Sequence, residues 1–395
     1  MRSIFAFVDL SVIIVSYNVK HFLEHCLLSV IKAGRNLVME IFVVDNKSED
    51  KTKDLEKIFP TVKFYWKSEN IGFAKANNSA LSVATGNHIL FLNPDTIIPE
   101  DCFHKCLRFF RTTPDCGALG VRMVDGQGQF LRESKRSLPG IFSAFYKAAG
   151  LSKLFPHSKK FSSYYAGHLP ENVNNPTEVL AGAFMMLSRK AITITGGFDE
   201  KFFMYGEDVD LSYRILEGNM KNYYFAETTI LHFKGESTVR DSKKFRKYFY
   251  GAMRLFAKKH YSKILANYLL LKAGIAVSES LAALTAYKKV GQKTLNQSKL
   301  ISVLGNDEEF DQIKILLNKK QEYILQHTPI LPDLINAPCK FESIIFCSGL
   351  RSYKENIEDL QKLPMEIEAM FYAHDVNSII GSTNKHRKGF FIAEQ

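Results

Sequence analysis

Cysteine is scarce and scattered in this chain. Six residues, Cys26, Cys102, Cys106, Cys116, Cys339 and Cys347, are spread over 395 positions and none stands in a CxxC pair. That spacing excludes a zinc ribbon and a dense disulfide framework. Cys102 and Cys106 lie four apart on an expected helix, yet no second ligand pair accompanies them, so reduced thiols are the simpler account. Long uninterrupted apolar runs are also missing. The best membrane candidate, Ile264 to Tyr287, is broken by Lys272 and Glu279, each costing about 2.5–3.5 kcal/mol at a bilayer centre. At the N-terminus Asp9 interrupts the apolar stretch and no small-residue cleavage site follows, so no signal peptide is expected and the localisation read is cytoplasmic. No GxGxxG follows the strand expected near Leu300, where Gly305-Asn306-Asp307 reads as a turn and helix start, and no glycine-rich, arginine-containing loop follows the first strand of the chain. These gaps argue against dinucleotide binding and nucleotidyl transfer.

What is present is a large capacity for burial. Hydrophobic residues make up 46% and charged residues 24%, which excludes disordered and fibrous classes. The length suits two domains with a connecting module. A net charge of +11 points to an anionic partner. Much of it gathers between Arg240 and Lys263, where nine Lys or Arg residues stand against Asp241 alone, with Phe245, Tyr248, Phe249, Tyr250, Phe256 and Tyr261 interleaved. Two readings stay open here: a helix on an anionic membrane surface at the inner face of the cytoplasmic membrane, or a solvated face with a packed aromatic stripe. No nucleic-acid-binding motif accompanies the charge, so nucleic acid is not an expected partner.

Short β-branched runs recur at Ser11–Val15, Ile41–Val44, Val62–Trp66 and Ile89–Leu92, alternating with helical periodicity at Phe22–Lys32, Lys51–Phe59 and Phe73–Ala84. Nearly continuous apolar strands between helices imply a parallel sheet covered on both faces. Later segments are mixed, with a strand at Ala118–Val124, a long loop region over residues 130–175, order from Val179 to Leu187, and a helix from Glu207. A small second α/β unit is expected from about Leu300, with strands at Ile301–Leu304 and Ser343–Cys347. The expected division is residues 1–239, a basic helical segment 240–295, and a small domain 296–395.

In such sheets ligands bind outside the carboxyl ends of the strands. Here those ends carry Ser16-Tyr17-Asn18, Asp45-Asn46-Lys47-Ser48, Asn70-Ile71-Gly72-Phe73 and Asn93-Pro94-Asp95. Four polar strand ends in succession read as one site built from four loops. Asp95 at a buried strand end can bind a hard divalent cation that bridges diphosphate oxygens, although Asn, Pro and Asp also form turns. Asp45 can accept hydrogen bonds from a base or ribose, or cap a turn. Glu207, Asp208 and Asp210 open a helix, where acids complement the dipole; one of them could also take a proton from an attacking hydroxyl. Arg214 can pair with Asp210. His232, after Thr228–Leu231, can be structural or a metal ligand.

The blocks SVIIVSYN, VVDNKSED, NIGFAKANN, FLNPDT, GGFDEKFFMYGEDVDLSYR and HFKGEST occur in that order between residues 9 and 260. Together they resemble inverting glycosyltransferase family 2, rhamnosyltransferase-like members of bacterial surface polysaccharide synthesis. The resemblance implies a GT-A type, Rossmann-like mixed sheet flanked by helices; the basic segment and the small C-terminal α/β (Rossmann-like) domain expected from the residue pattern follow it. It implies Asp208 as general base and Asp95 with His232 as ligands of Mg2+ or Mn2+. Donor contacts fall to Ser16, Tyr17, Asn18, Asp45, Asn70, Gly72, Phe73, Asn93 and Asp95. Gly182, Glu207 and Asp210 take the acceptor side, the two acids ordering either the acceptor or the loop. The implied partners are a nucleotide diphosphate sugar, rhamnose first, and a glycan or polyprenyl-linked glycan acceptor. Asn93 stands where the family has the first acid of its DxD motif, and Glu178 stands where relatives often carry an aromatic. The stretch Asn377–Ser382 is similar to the Rossmann-like region of enzymes that prime polyprenyl phosphate. A non-catalytic sugar-nucleotide-binding scaffold is the alternative.

Overall fold

The computed structural model describes residues 7–138, 165–234, 243–262, 265–285, 300–318, 323–328, 341–382 and 389–393. The first half of the large sheet grows from β1 (Leu10–Ser16), α1 (Lys20–Ala33), β2 (Met39–Asp45), α2 (Leu55–Ile58), β3 (Val62–Trp66), α3 (Phe73–Leu81) and β4 (His88–Leu92). Strand β1 shows why these runs read as apolar nearly throughout. Its side chains alternate between two cores: Val12 and Ile14 pack against Leu23, Cys26, Leu27 and Val30 of α1. Ile13 and Val15 pack against Ala74, Ala76 and Ala80 of α3. With both faces covered, both sets of alternate positions are mainly apolar, and buried Ser11 is accommodated because its hydroxyl donates to Glu40 at 2.6 Å. Strand β1 pairs in parallel with β2 and β4, with Ser16 opposite Asp45 and Ile14 opposite Leu92.

The second half is mixed. Strand β5 (Thr96–Ile97), α4 (Cys102–Thr112), β6 (Cys116–Val124), β7 (Asn175–Thr177), β8 (Phe184–Ser188), α5 (Arg189–Thr195), α6 (Glu207–Glu217) and β9 (Lys221–His232) follow. The strand order is β3-β2-β1-β4-β8-β6-β9-β5, with β7 on β9. Strand β8 runs antiparallel to both β4 and β6, whereas β6 and β9 are parallel. The Rossmann-like mixed sheet is therefore present. Three elements differ from the periodicity reading. The stretch 51–59 is a 3₁₀ turn plus one α-turn, with Lys51 in the left-handed region at φ 62°. Residues 179–183 lie outside β8. Strand β9 extends ten residues N-terminal of Leu231 because a register irregularity after Phe225 hides its alternation. Residues 139–164 of the expected loop region fall outside the described residues.

Helices α7 (Lys243–Tyr261) and α8 (Leu265–Thr285) come next. The aromatic stripe of α7 packs inward, Ala252 and Phe256 against Phe202 and Tyr250 and Ala257 against Leu271 and Ile275 of α8. The packed-stripe reading thus describes that face. Among the described residues no helix is long and apolar enough to cross a membrane.

The smaller sheet comprises β10 (Leu300–Leu304), α9 (Asp307–Asn318), β11 (Ile324–His327), β12 (Ser343–Cys347), α10 (Tyr353–Leu360), β13 (Glu368–Ala373), β14 (Ser378–Gly381) and β15 (Phe390–Ala393). Its order is β11-β10-β12-β13-β14-β15, parallel through β13 and antiparallel beyond. One apolar cluster joins it to the larger sheet: Val19, Phe22, Ile97, Val124, Leu231 and Phe233 meet side chains of β10, β12, α10, β13 and β14.

Candidate active site at the carboxyl edge

The β1, β2 and β4 ends lie in register along one sheet edge, and their loops are bonded to one another. Asp45, at the end of β2, accepts the Ser48 amide at 2.7 Å and the Ser48 hydroxyl at 2.5 Å. Burial pushes its carboxyl up, and the two Ser48 bonds act against that. The Asn18 amide donates to Ser48 Oγ at 2.8 Å, and Asn18 Oδ1 accepts the Glu49 amide at 2.7 Å. Asn18 holds a left-handed φ of 55°, which asparagine tolerates better than most residues. Asn46 reaches across to the third loop, donating to Gly72 O at 3.2 Å, while Asn70 Oδ1 accepts the Gly72 amide at 3.1 Å. Ser16 Oγ is buried without a hydrogen-bond partner, and Tyr17 beside it is half-buried.

Gly72 ties this side to the acidic helix. Its φ is +86°, and a Cβ there would lie 2.6 Å from the carbonyl oxygen of Phe203. The next amide, of Phe73, donates to that carbonyl at 2.8 Å. Phe203 lies four residues before Glu207, so the Asn70–Phe73 loop and the start of α6 are locked together.

The Asn93–Asp95 turn faces His232. Thr96 of β5 pairs with His232, the last residue of β9. His232 Nε2 stands 3.3 Å from Asp95 Oδ1 and 3.5 Å from Asn93 Nδ2. Both Asp95 and His232 are buried, at 4% and 7% exposure, and His232 Nδ1 has no hydrogen-bond partner. The Asp95 carboxylate and the His232 Nε2 that faces it are two donors of the kind that suit a divalent cation. Among the described residues no group of three His, Cys, Asp or Glu side chains is placed to hold a metal. A cation held by this pair would therefore draw its remaining ligands from substrate oxygens and water.

Asp208 connects to that turn through the loop before β8. The Asn93 amide donates to Ala183 O at 3.0 Å, and the neighbouring Gly182 amide donates to Asp208 Oδ2 at 3.2 Å. Arg136 donates to the same oxygen and to Leu180 O. Arg136 lies in a Ser- and Lys-rich stretch with no periodicity, so nothing in the sequence singled it out; its meeting with Asp208 spans 72 positions. Glu207 is buried, with Oε2 unpartnered. Burial first, and then the Asp208 charge, lift its carboxyl to about 8.

Asp210 requires a correction. Placed on the acceptor side by resemblance, it is 0% exposed, and its carboxylate is bonded to Arg214 at 2.8 Å and to Lys259 and His260 at 2.7 Å each. Burial alone would raise its carboxyl, but these three partners hold it down at about 2. No atom of it is left to meet an acceptor; it fastens α6 to α7 and so orders the loop. Glu178 likewise serves the chain itself, accepting the Leu138 amide at 2.8 Å. Of the HFKGEST block, Gly235, Glu236, Ser237 and Thr238 lie outside the described residues. The described cysteines are free and buried, Cys102 and Cys106 in the α4 core; Cys339 is outside the described residues.

Comparison with known proteins places this arrangement. Residues 11–192 match the family model for Glycosyl transferase family 2. The chain is 28% identical over 244 residues to the N-acetylglucosaminyl-diphospho-decaprenol L-rhamnosyltransferase of Mycobacterium tuberculosis, covering 59% of this chain and 78% of that protein. It is 26% identical over 204 residues to rhamnosyltransferase WbbL of Escherichia coli K12, covering 50% of this chain and 73% of WbbL. Among solved structures, the mannosyltransferase PcManGT of Pyrobaculum calidifontis, in complex with GDP-Man and Mn2+, aligns at a TM-score of 0.43 and 16% identity, over 71% of this chain and 76% of that one.

Proposed function

The chain belongs to glycosyl transferase family 2 and is a glycosyltransferase, and from that premise we propose that it transfers a sugar with inversion from a nucleotide diphosphate to an acceptor hydroxyl. One observation carries this reading: the bonds from Asn93 to Ala183 and from Gly182 to Asp208 tie the Asp95–His232 pair to a carboxylate at the same sheet edge. Asp45, Asn18, Ser16 and Tyr17 receive the nucleoside, with Asn70, Gly72, Phe73 and Asn93 lining the diphosphate and sugar. Asp95 and His232 would hold a divalent cation, Mg2+ or Mn2+, which when bound would offset charge on the departing diphosphate. Asp208 takes the acceptor proton as the bond to the anomeric carbon forms and the bond to the diphosphate oxygen breaks. Gly182 and Arg136 fix the orientation of that carboxylate, and burial and the Asp208 charge push the neighbouring Glu207 carboxyl up, which disfavours a second negative charge beside it. A single displacement inverts the anomeric configuration, and positioning supplies much of the acceleration.

The relatives' names support rhamnose as the first donor sugar and a polyprenyl-linked glycan as the acceptor; thymidine diphosphate as the sugar's carrier rests on the family resemblance alone. Exposed Lys247, Arg254 and Lys258 on α7, with exposed Leu269, Leu270 and Val277 on α8, support contact with an anionic membrane surface, on the cytoplasmic side, where nucleotide sugars are found. The deciding experiment is a donor screen by mass spectrometry with manganese or magnesium present. Sugar transfer with inverted configuration is expected; retention of configuration, or no transfer from any nucleotide sugar, sinks the reading.

A further inference from the structure

Strand β5, which follows Asp95, is two residues long. So short a ladder holds little by itself; its placement depends on what packs behind it. Alternation along β9 sends Ile230 to the α1 side of the large sheet, whereas Leu231 and the following Phe233 enter the cluster shared with the C-terminal sheet. His232 lies between those two. The Phe233 amide donates to Asp95 O at 3.0 Å, so one residue touches both the Asp95 backbone and the C-terminal unit. The Phe233 ring meets Phe22 edge-on at 5.2 Å and Phe371 of β13 at 5.7 Å, and Phe371 stacks on Phe346 of β12 at 5.4 Å. Polar ties flank this stack. Glu100, three residues past β5, accepts the amides of Tyr353 at 2.8 Å and Lys354 at 3.1 Å. His25 Nε2 and Ser378 Oγ lie 3.1 Å apart, both buried.

Among the described residues, the carboxyl ends of β10 and β12 in the small sheet, where an open α/β sheet takes ligands, are occupied by a side chain of the same unit. Buried Glu309 accepts the amides of Gly349 at 2.8 Å and Asn306 at 3.1 Å. A Cβ on Gly349 would lie 2.6 Å from one Glu309 oxygen, and one on Gly305 2.9 Å from the other.

We propose that the C-terminal α/β unit is a positioning module for the transferase, with Phe371 acting through Phe233 to hold Asp95 and His232 in register. This rests on the metal-side reading above. The test is calorimetry of manganese(II) binding to the full chain, with UDP and thymidine diphosphate in separate arms. Three proteins are compared: wild type, Phe371→Ala and Ile345→Ala, with melting temperatures recorded for each. Ile345 is buried on the opposite face of the same sheet, so its truncation weakens the unit without touching Phe233. Phe371→Ala should weaken manganese binding by about tenfold or more, as loss of a ligand's outer support does. Ile345→Ala should stay within about twofold of wild type, since distant sites act independently. Phe371→Ala binding like wild type, or both variants weakened equally, overturns the proposal while leaving the transferase reading intact. Wild type binding no manganese with either nucleotide sinks the metal reading and this one with it. Should Phe371→Ala fail to fold, Phe371→Leu against Ile345→Val decides by the same criterion.

Discussion

Arg136 Nη2 lies 2.5 Å from Asp208 Oδ2, and the same guanidinium donates to the carbonyl of Leu180. The carboxylate is thereby fixed against the 180–183 loop, whose Gly182 amide shares that oxygen. Asp208→Asn keeps the shape but removes proton acceptance. Turnover should fall by about 10²–10⁴, the range general-base catalysis contributes, with nucleotide binding by calorimetry unchanged. Unaltered turnover removes Asp208 from the role of base.

Gly72→Ala tests the link between the Asn70–Phe73 loop and the acidic helix. The substitution demands a left-handed φ of +86° from alanine and sets its Cβ 2.6 Å from a backbone oxygen. Strain of this kind costs on the order of 1–3 kcal/mol. Because Phe203 is pushed away with the loop, the donor KM should rise along with the fall in melting temperature. A variant with wild-type melting and donor KM would show that the two segments are not locked.

Much of this was legible in the sequence, for identifiable reasons. The β1 run is apolar at nearly every position because both faces are buried, and polar groups at the strand ends follow from where an α/β sheet can bind a ligand. The Arg136–Asp208 pair was not legible, since no periodicity marks Arg136 and its partner is remote. Apolar spacing around Phe371 shows that a side chain is buried but not against what, so the core shared with Phe22 and Phe233 stayed hidden. Asp210 was legible in part: Arg214, four residues on, marked one partner, but nothing in the sequence pointed to Lys259 and His260 on a neighbouring helix.

Asp210→Asn should destabilise the protein far more than a surface change. Removing one member of a buried charge cluster costs about 3–5 kcal/mol, here by leaving Arg214, Lys259 and His260 without their common anion. The sign with pH follows. A carboxyl held at about 2, below its ordinary 3.8, stabilises the fold above pH 3.8 and loses that contribution as pH falls toward 2. Chemical denaturation of the variant at neutral pH checks the magnitude; a loss under about 1 kcal/mol, the level of an exposed pair, would mean the cluster is not a clamp.

Glu207 should give the opposite dependence. Burial and the adjacent Asp208 charge lift its carboxyl from 4.5 to about 8, outweighing its own backbone amide and Arg136. Between those two values the unfolded chain has released a proton that the folded chain keeps, so rising pH favours unfolding. The stability tied to this proton is fully present below pH 4.5 and falls as pH rises through about 8, with a slope of at most about 1.4 kcal/mol per pH unit. Glu207→Gln keeps the size and a hydrogen-bonding head group but has no proton to release. Melting temperatures of wild type and variant, followed across that window, should therefore diverge with rising pH, the wild-type curve declining and the variant's staying flatter. Parallel curves would mean that Glu207 ionises in the folded protein as it does in water, and that a second negative charge beside Asp208 is not disfavoured.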